Sequence, residues 1–142
     1  MKKGKGLIIL LAAVAVLVLA GIRINNRMVS LDEEVTQAWS NVENVYQRRA
    51  DLIPNLVATV KGYAEHESKT LQDVIEARTK ATSINIDAEN MTAQDLEEFQ
   101  KAQSEVGGAL GRLIAIGESY PDLKANQNFL ELQTQLEGTE NR

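Results

Sequence analysis

The 142-residue chain has no cysteine, two prolines and a single histidine. Without cysteine there are no disulfides, no thiol nucleophile, no zinc ribbon and no lipid attached through a thiol. So few prolines, beside plentiful Gln, Glu, Ala and Leu, suit long helices and count against a sheet protein. The one histidine, His66, sits in the polar stretch "EHESK". A carboxylate-bridged metal site would want Glu-x-x-His, but position 63 is Tyr63, so no metal site is expected.

Positive charge is also scarce where it would be needed for nucleic acid. The formal net charge is -5, and Lys2, Lys3 and Lys5 stand ahead of an uncharged run. Taking those three from the 15 basic residues leaves 12 against 20 acidic ones, so the rest of the chain carries -8. An acidic body is a poor grip for phosphates, and no nucleic acid partner is expected.

What the chain does have is an apolar run from Gly6 to Ile22 behind a basic start, "MKKGKGLIILLAAVAVLVLAGI". At 1.5 Å per residue it spans about 25 Å, the short end of a membrane crossing, with Arg23 and Arg27 able to reach back to the interface. Val18 and Ala20 would also suit cleavage of a signal peptide, but the run is long for a signal core and favours an anchor. Leu19, Ala20 and Gly21 resemble a lipoprotein signal, yet Ile22 stands where cysteine is required. The resulting division is a basic tail 1–5, a transmembrane anchor 6–22, a juxtamembrane linker 23–29 and a helical body 30–142. The lysines before the run, and Asp32, Glu33 and Glu34 after it, weakly favour an extracytoplasmic body.

Ser30 and Glu33 form an S-x-x-E capping box that predicts a helix starting there. Leu31, Val35, Ala38, Val42, Val45, Arg49, Leu52, Leu56, Thr59 and Tyr63 then alternate by four and three, a bundle seam. Trp39, Tyr46, Ile53, Val57 and Val60 widen it. Leu71, Val74, Ile75, Arg78 and Ala81 predict a second helix ending near "TSINIDAEN". Thr92 with Asp95 opens a third, whose seam is Leu96, Phe99, Gln103, Val106, Leu110, Leu113 and Tyr120. Pro121 ends it. A fourth begins around Asp122 with Phe129, Leu132 and Leu136 on one face, and it is expected to be cut short at Arg142. Gly107, Gly108 and Gly111 fall inside the third helix, where close helix approach would offset their cost. No strand precedes them, so they are not read as a phosphate loop.

The segment "YQRRADLIPNLV" concentrates polarity in the first seam. Pro54 should kink or loosen the helix and free the carbonyl of Ala50, for which Asn55 and the nearby arginines are candidate donors. If the first two helices turn near Glu65, Arg49 and Arg78 lie roughly 24 Å and roughly 20 Å from the turn and share a layer. Gln103 is expected at a similar height. Buried guanidinium groups would need carboxylates, and Glu43, Asp51 and Glu76 are the nearest candidates. The cluster Arg48, Arg49, Asp51, Asn55, Arg78 and Gln103 is therefore read as a polar layer or a partner-docking patch, with binding of a small anion the alternative.

Enzymatic signatures are weak. No serine sits in a nucleophile elbow, and the neighbours Glu97 and Glu98 point in different directions on a helix. A histidine kinase would need a nucleotide-binding domain that 142 residues of helical pattern do not supply.

"WSNVENVYQRRADLIPNLVATVKGYAEHE", "EARTKA" and "AIGESYPDLKANQNFLELQTQLEGTENR" resemble the LemA family of bacterial membrane proteins. That resemblance implies one N-terminal membrane segment followed by an antiparallel up-and-down helical bundle, a domain shared with MamQ proteins, with no established catalytic residue and no cofactor. It also implies further residues after "TEN". The expected partners are the membrane and an unidentified protein, with homo-oligomerisation left open.

Overall fold

The computed structural model describes residues 2–140, with side chains from Gly4 onward, and every regular element among them is helical. Met1 of the basic tail and the last two residues of the fourth-helix segment lie outside the described residues. Helix α1 spans Lys2–Lys61, α2 Ser68–Ser83, α3 Ala93–Ser119, α4 Pro121–Lys124 and α5 Gln127–Glu140, with a 3-10 turn at Glu65–Glu67 between α1 and α2. The chain divides into two compact units, Met1–Trp39 and Ser40–Arg142. The first is made of α1 alone, and it holds the one stretch, among the described residues, long and apolar enough to cross a membrane. Leu7, Ile9, Leu17 and Leu19 there are exposed.

The second unit is an antiparallel bundle, and its side-chain bonds give the register. Arg49 bonds Thr139 and Thr59 bonds Asn128, so ten residues forward on α1 match eleven backward on α5. On the next pair, Asp73 faces Arg112 and Lys80 faces Glu105, seven residues each way. Ile53, Leu56 and Val60 of α1, Leu71 and Val74 of α2, Val106, Leu110 and Leu113 of α3, Leu123 of α4 and Phe129, Leu132 and Leu136 of α5 share one core.

Local signals explain several ends. Thr92 accepts from the Asp95 amide at 3.1 Å while Asp95 accepts from the Thr92 amide at 2.9 Å, the reciprocal box expected at the start of α3. The Thr92 hydroxyl, donating to Asp95 Oδ2 at 2.7 Å, and then the Thr92 amide hold the Asp95 carboxyl below its usual range. Pro121 opens α4, where its missing amide costs nothing. The fourth wall then restarts: Asn126 accepts from the Phe129 amide at 3.0 Å, so α5 begins five residues later than Asp122.

Three expectations are corrected. No helix starts at Ser30; α1 passes through residues 23–30 unbroken, since no Gly or Pro follows Gly21 until Pro54. The seam also shifts. The buried line of α1 in the bundle is Arg49, Ile53, Leu56 and Val60, continued by Ala64 just past the helix end, while Leu31, Val35, Val42 and Tyr63 are exposed. Leu31 and Val35 lie in the first unit, and within the bundle a 3.5-residue pattern drifts about 20° per heptad against a 3.6-residue helix. Ile75 and Leu96 are likewise exposed.

The third correction concerns glycine. A Cβ placed on Gly107 or Gly111 would meet nothing, and one on Gly108 only Arg112 Nη1 at 3.9 Å, so no close helix approach needs them. Gly117 is the position that does, because its Cβ would stand 2.6 Å from Phe129 Cζ. Gly117→Ala should therefore destabilise the bundle by about 1–3 kcal/mol through overpacking. Gly111→Ala should instead stabilise it by up to about 1 kcal/mol. Chemical unfolding of the two variants, followed by circular dichroism, checks the opposite signs.

Candidate functional site

Proline 54 sets the geometry of the polar cluster. It has no amide hydrogen, so the carbonyl of Ala50, one turn earlier, loses its helical partner. Helix α1 nevertheless continues through it. Arg78 of α2 supplies the missing donor, its Nε lying 2.8 Å from the Ala50 oxygen. The candidate Asn55 is exposed and does not fill this role; its own carbonyl accepts from the Thr59 hydroxyl at 2.8 Å.

Arg49 and Arg48 are consecutive, so their side chains leave the helix about 100° apart. Arg48 is exposed, and so is Asp51, which accepts from Gln47 at 2.9 Å. Arg49 is buried, with 7% of its surface exposed. Its Nε donates to the Thr139 hydroxyl at 3.2 Å, and that hydroxyl donates onward to the Leu136 carbonyl at 2.6 Å. The guanidinium also lies over the Tyr46 ring, 5.3 Å from its centroid, and that ring meets Phe99 edge-on at 5.2 Å.

The expected carboxylates are not there. Among the described residues neither Arg49 nor Arg78 forms an ion pair with Glu43, Asp51 or Glu76; hydroxyl, ring and backbone carbonyl take their place. The ion pairs lie instead within α2, at Lys69 and Asp73, and between α2 and α3, where Lys80 meets Glu105 at 2.8 Å and its hydrogen bond holds that carboxyl below its usual range. Those between α2 and α3 line a hollow of about 610 Å³, across which Lys80 pairs with Glu105 and Arg112 with Asp73. Being exposed, such pairs add little stability.

Two hollows adjoin Arg49. One, of about 500 Å³, lies between Tyr46 and Arg49 of α1 and Gln100, Gln103, Ser104, Gly107 and Gly108 of α3. The other, of about 430 Å³, runs between Asn41, Asn44, Val45 and Arg49 of α1 and Thr139 and Glu140 of α5. Gln103 thus stands on the same hollow as Arg49, and Arg78 touches the residue next to Arg49. Arg48, Asp51 and Asn55 do not join them. Thr139 and Tyr46 are the partners that sequence reasoning left unassigned. Thr139 extends the spacing of Phe129, Leu132 and Leu136, the signal by which it could have been found.

Comparison with known proteins follows this geometry. The LemA family profile matches residues 38–142, covering the bundle and all of the polar cluster. The chain belongs to the LemA family. Among curated relatives, Protein LemA of Metamycoplasma hominis is 24% identical over 111 residues, covering 78% of this chain and 47% of the relative. Magnetosome protein MamQ of Magnetospirillum gryphiswaldense is 26% identical over 165 residues, covering 99% of this chain and 60% of that protein. Magnetosome protein MamQ 2 of Paramagnetospirillum magneticum is 26% identical over 136 residues, with shares of 82% and 49%. The chain therefore spans about half the length of the LemA and MamQ proteins it matches.

The Arg78 contact yields a test. Arg78→Met leaves the Ala50 carbonyl without its donor, an expected loss of about 1–3 kcal/mol in unfolding free energy. In a Pro54→Ala background the substituted residue restores an amide to that carbonyl, and the same Arg78→Met change should cost much less. A double-mutant cycle by urea unfolding measures the coupling. Equal losses in both backgrounds would mean that the contact does not serve the proline.

Proposed function

We propose that this LemA-family chain is a noncatalytic interaction module, anchored by residues 6–22 in the bacterial cell membrane, with its bundle on the extracytoplasmic side. The observation that carries this reading is the partition of the polar motif. Arg78, and Arg49 through its Nε and its ring contact, are engaged inside the bundle, whereas Arg48, Asp51 and Gln47 form an exposed patch whose polarity the fold does not need. Exposed charged groups beside an ordered helix are suited to contacting another protein. Burial of polar groups here serves backbone and register, which supports a scaffold in preference to a hydrolase. Glu97 and Glu98 line a shallow hollow with Lys80 and Lys101, and among the described residues no group of three or more metal-binding side chains is present.

Orientation rests on Lys2, Lys3 and Lys5 before the apolar run and the acidic residues after it. Retention of the anchor is tested by intact mass of the protein purified from its native membrane. The mass should include residues 1–20; loss of them by cleavage after Ala20 would make the bundle an exported soluble domain.

The docking reading is tested by in-cell crosslinking from a photoreactive residue at position 48, followed by mass spectrometry. A discrete adduct is expected, and an adduct of twice the chain mass would identify a second copy as the partner. Arg48→Ala should change bundle stability by less than about 0.5 kcal/mol. No adduct, together with strong destabilisation by Arg48→Ala, would return the whole motif to a structural role.

A further inference from the structure

We propose that the hollow between α1 and α3 is a binding site for a small monocarboxylate, gripped by the Arg49 guanidinium. Three features of the bundle converge on it, and none depends on the docking role of Arg48.

The first is a cation with no carboxylate partner among the described residues. Arg49 is 7% exposed, and among the described residues it has one hydrogen-bond partner, Thr139, which takes only its Nε. The two terminal nitrogens of the fork have no protein acceptor among those residues. Neither nitrogen is among the buried atoms left without a hydrogen-bond partner, so the fork is open at the hollow, where a carboxylate would give it two charge-assisted bonds.

The second is the lining. Residues around the α1–α3 hollow include no Asp or Glu, while Gln100, Gln103 and Ser104 add amide and hydroxyl donors. Arg49 is its one charged group. One positive charge matches a monoanion, and the planar fork matches a carboxylate in bidentate geometry. The hollow beside α5 is the poorer choice because Glu140 lines it. Tyr46 offers an aromatic wall for the apolar part of the acid, and the open groove of about 500 Å³ admits it from solvent.

The third is glycine. Gly107 and Gly108 line this hollow inside a long helix, yet packing against the rest of the chain does not require either. Their lack of side chains keeps the α3 wall of the hollow open, which gives a purpose to residues that otherwise only weaken the helix. Arg78 is not part of the site, being engaged with Ala50.

The test uses the full chain in detergent micelles, isotopically labelled at nitrogen, titrated at constant ionic strength with acetate or benzoate and, in parallel, with acetamide or benzamide. Saturable shifts are expected in the Gln100 and Gln103 side-chain amides and in the Arg49 guanidinium, with the acids and not with the amides. Arg49→Lys keeps the charge but not the fork and should weaken binding by about tenfold or more. Because a change at Arg49 also removes a structural bond, Gly107→Leu provides the second arm. It should abolish the shifts while leaving the melting temperature unchanged or higher. No saturation at acid concentrations on the order of 0.1 M, equal shifts with the amides, or undiminished binding in Gly107→Leu would each overturn the proposal.

Discussion

A single carbonyl oxygen imposes the tightest condition on this bundle. Pro54 cannot donate to Ala50, and a buried backbone acceptor left alone is expensive. The donor comes from Arg78, 28 residues further along the chain and on another helix. Apolar stripes tolerate sliding by a fraction of a turn, because one Leu is much like the next. A directional bond to one oxygen does not. Arg78 must arrive at the height of Ala50, which fixes how far α2 runs back along α1 and hence the length of the turn between them. The register of α1 against α5 then follows from Arg49 and Thr139 at the same level, and from Thr59 with Asn128 lower down.

The two adjacent arginines of "YQRRADLIPNLV" show how one turn of helix separates roles. Arg49 faces inward, where its stem packs and its fork meets a hydroxyl and an aromatic ring. Arg48, about 100° away, faces water. Conservative exchange at the two positions is therefore not equivalent: a lysine would serve at the outer one, while the inner one uses the shape of the guanidinium.

What could be read from the sequence was local. The reciprocal box at Thr92 and Asp95, the stop before Pro121 and the buried face at Phe129, Leu132 and Leu136 all depend on residues a few positions apart. The layer of Arg49 and Arg78 was legible because a hairpin of known rise brings them level. The partners of those arginines were not, since Thr139 lies 90 residues from Arg49 and a neutral hydroxyl gives no charge pattern to follow. Ser30 misled for a related reason: a capping pair ends a helix only where something nearby breaks it, and nothing between Gly21 and Pro54 does. The glycines of α3 misled in the other direction, since composition cannot say that Gly117 is pressed against a ring while Gly107 faces open space.

The distance in sequence between Arg49 and Thr139 also sets an order of events during synthesis. Domains assemble while the ribosome adds roughly 5–20 residues per second, so Thr139 is made on the order of ten seconds after Arg49. During that interval α2 and α3 can already close on one another through neighbouring contacts, but the side of α1 that α5 will cover has no lid. Ile53, Leu56 and Val60 then form an apolar stripe on the same helix as the hydrophobic segment. Among the described helices α5 is made last and closes the bundle, and a nascent chain arrested before it would be the species most exposed to holdase chaperones and proteases.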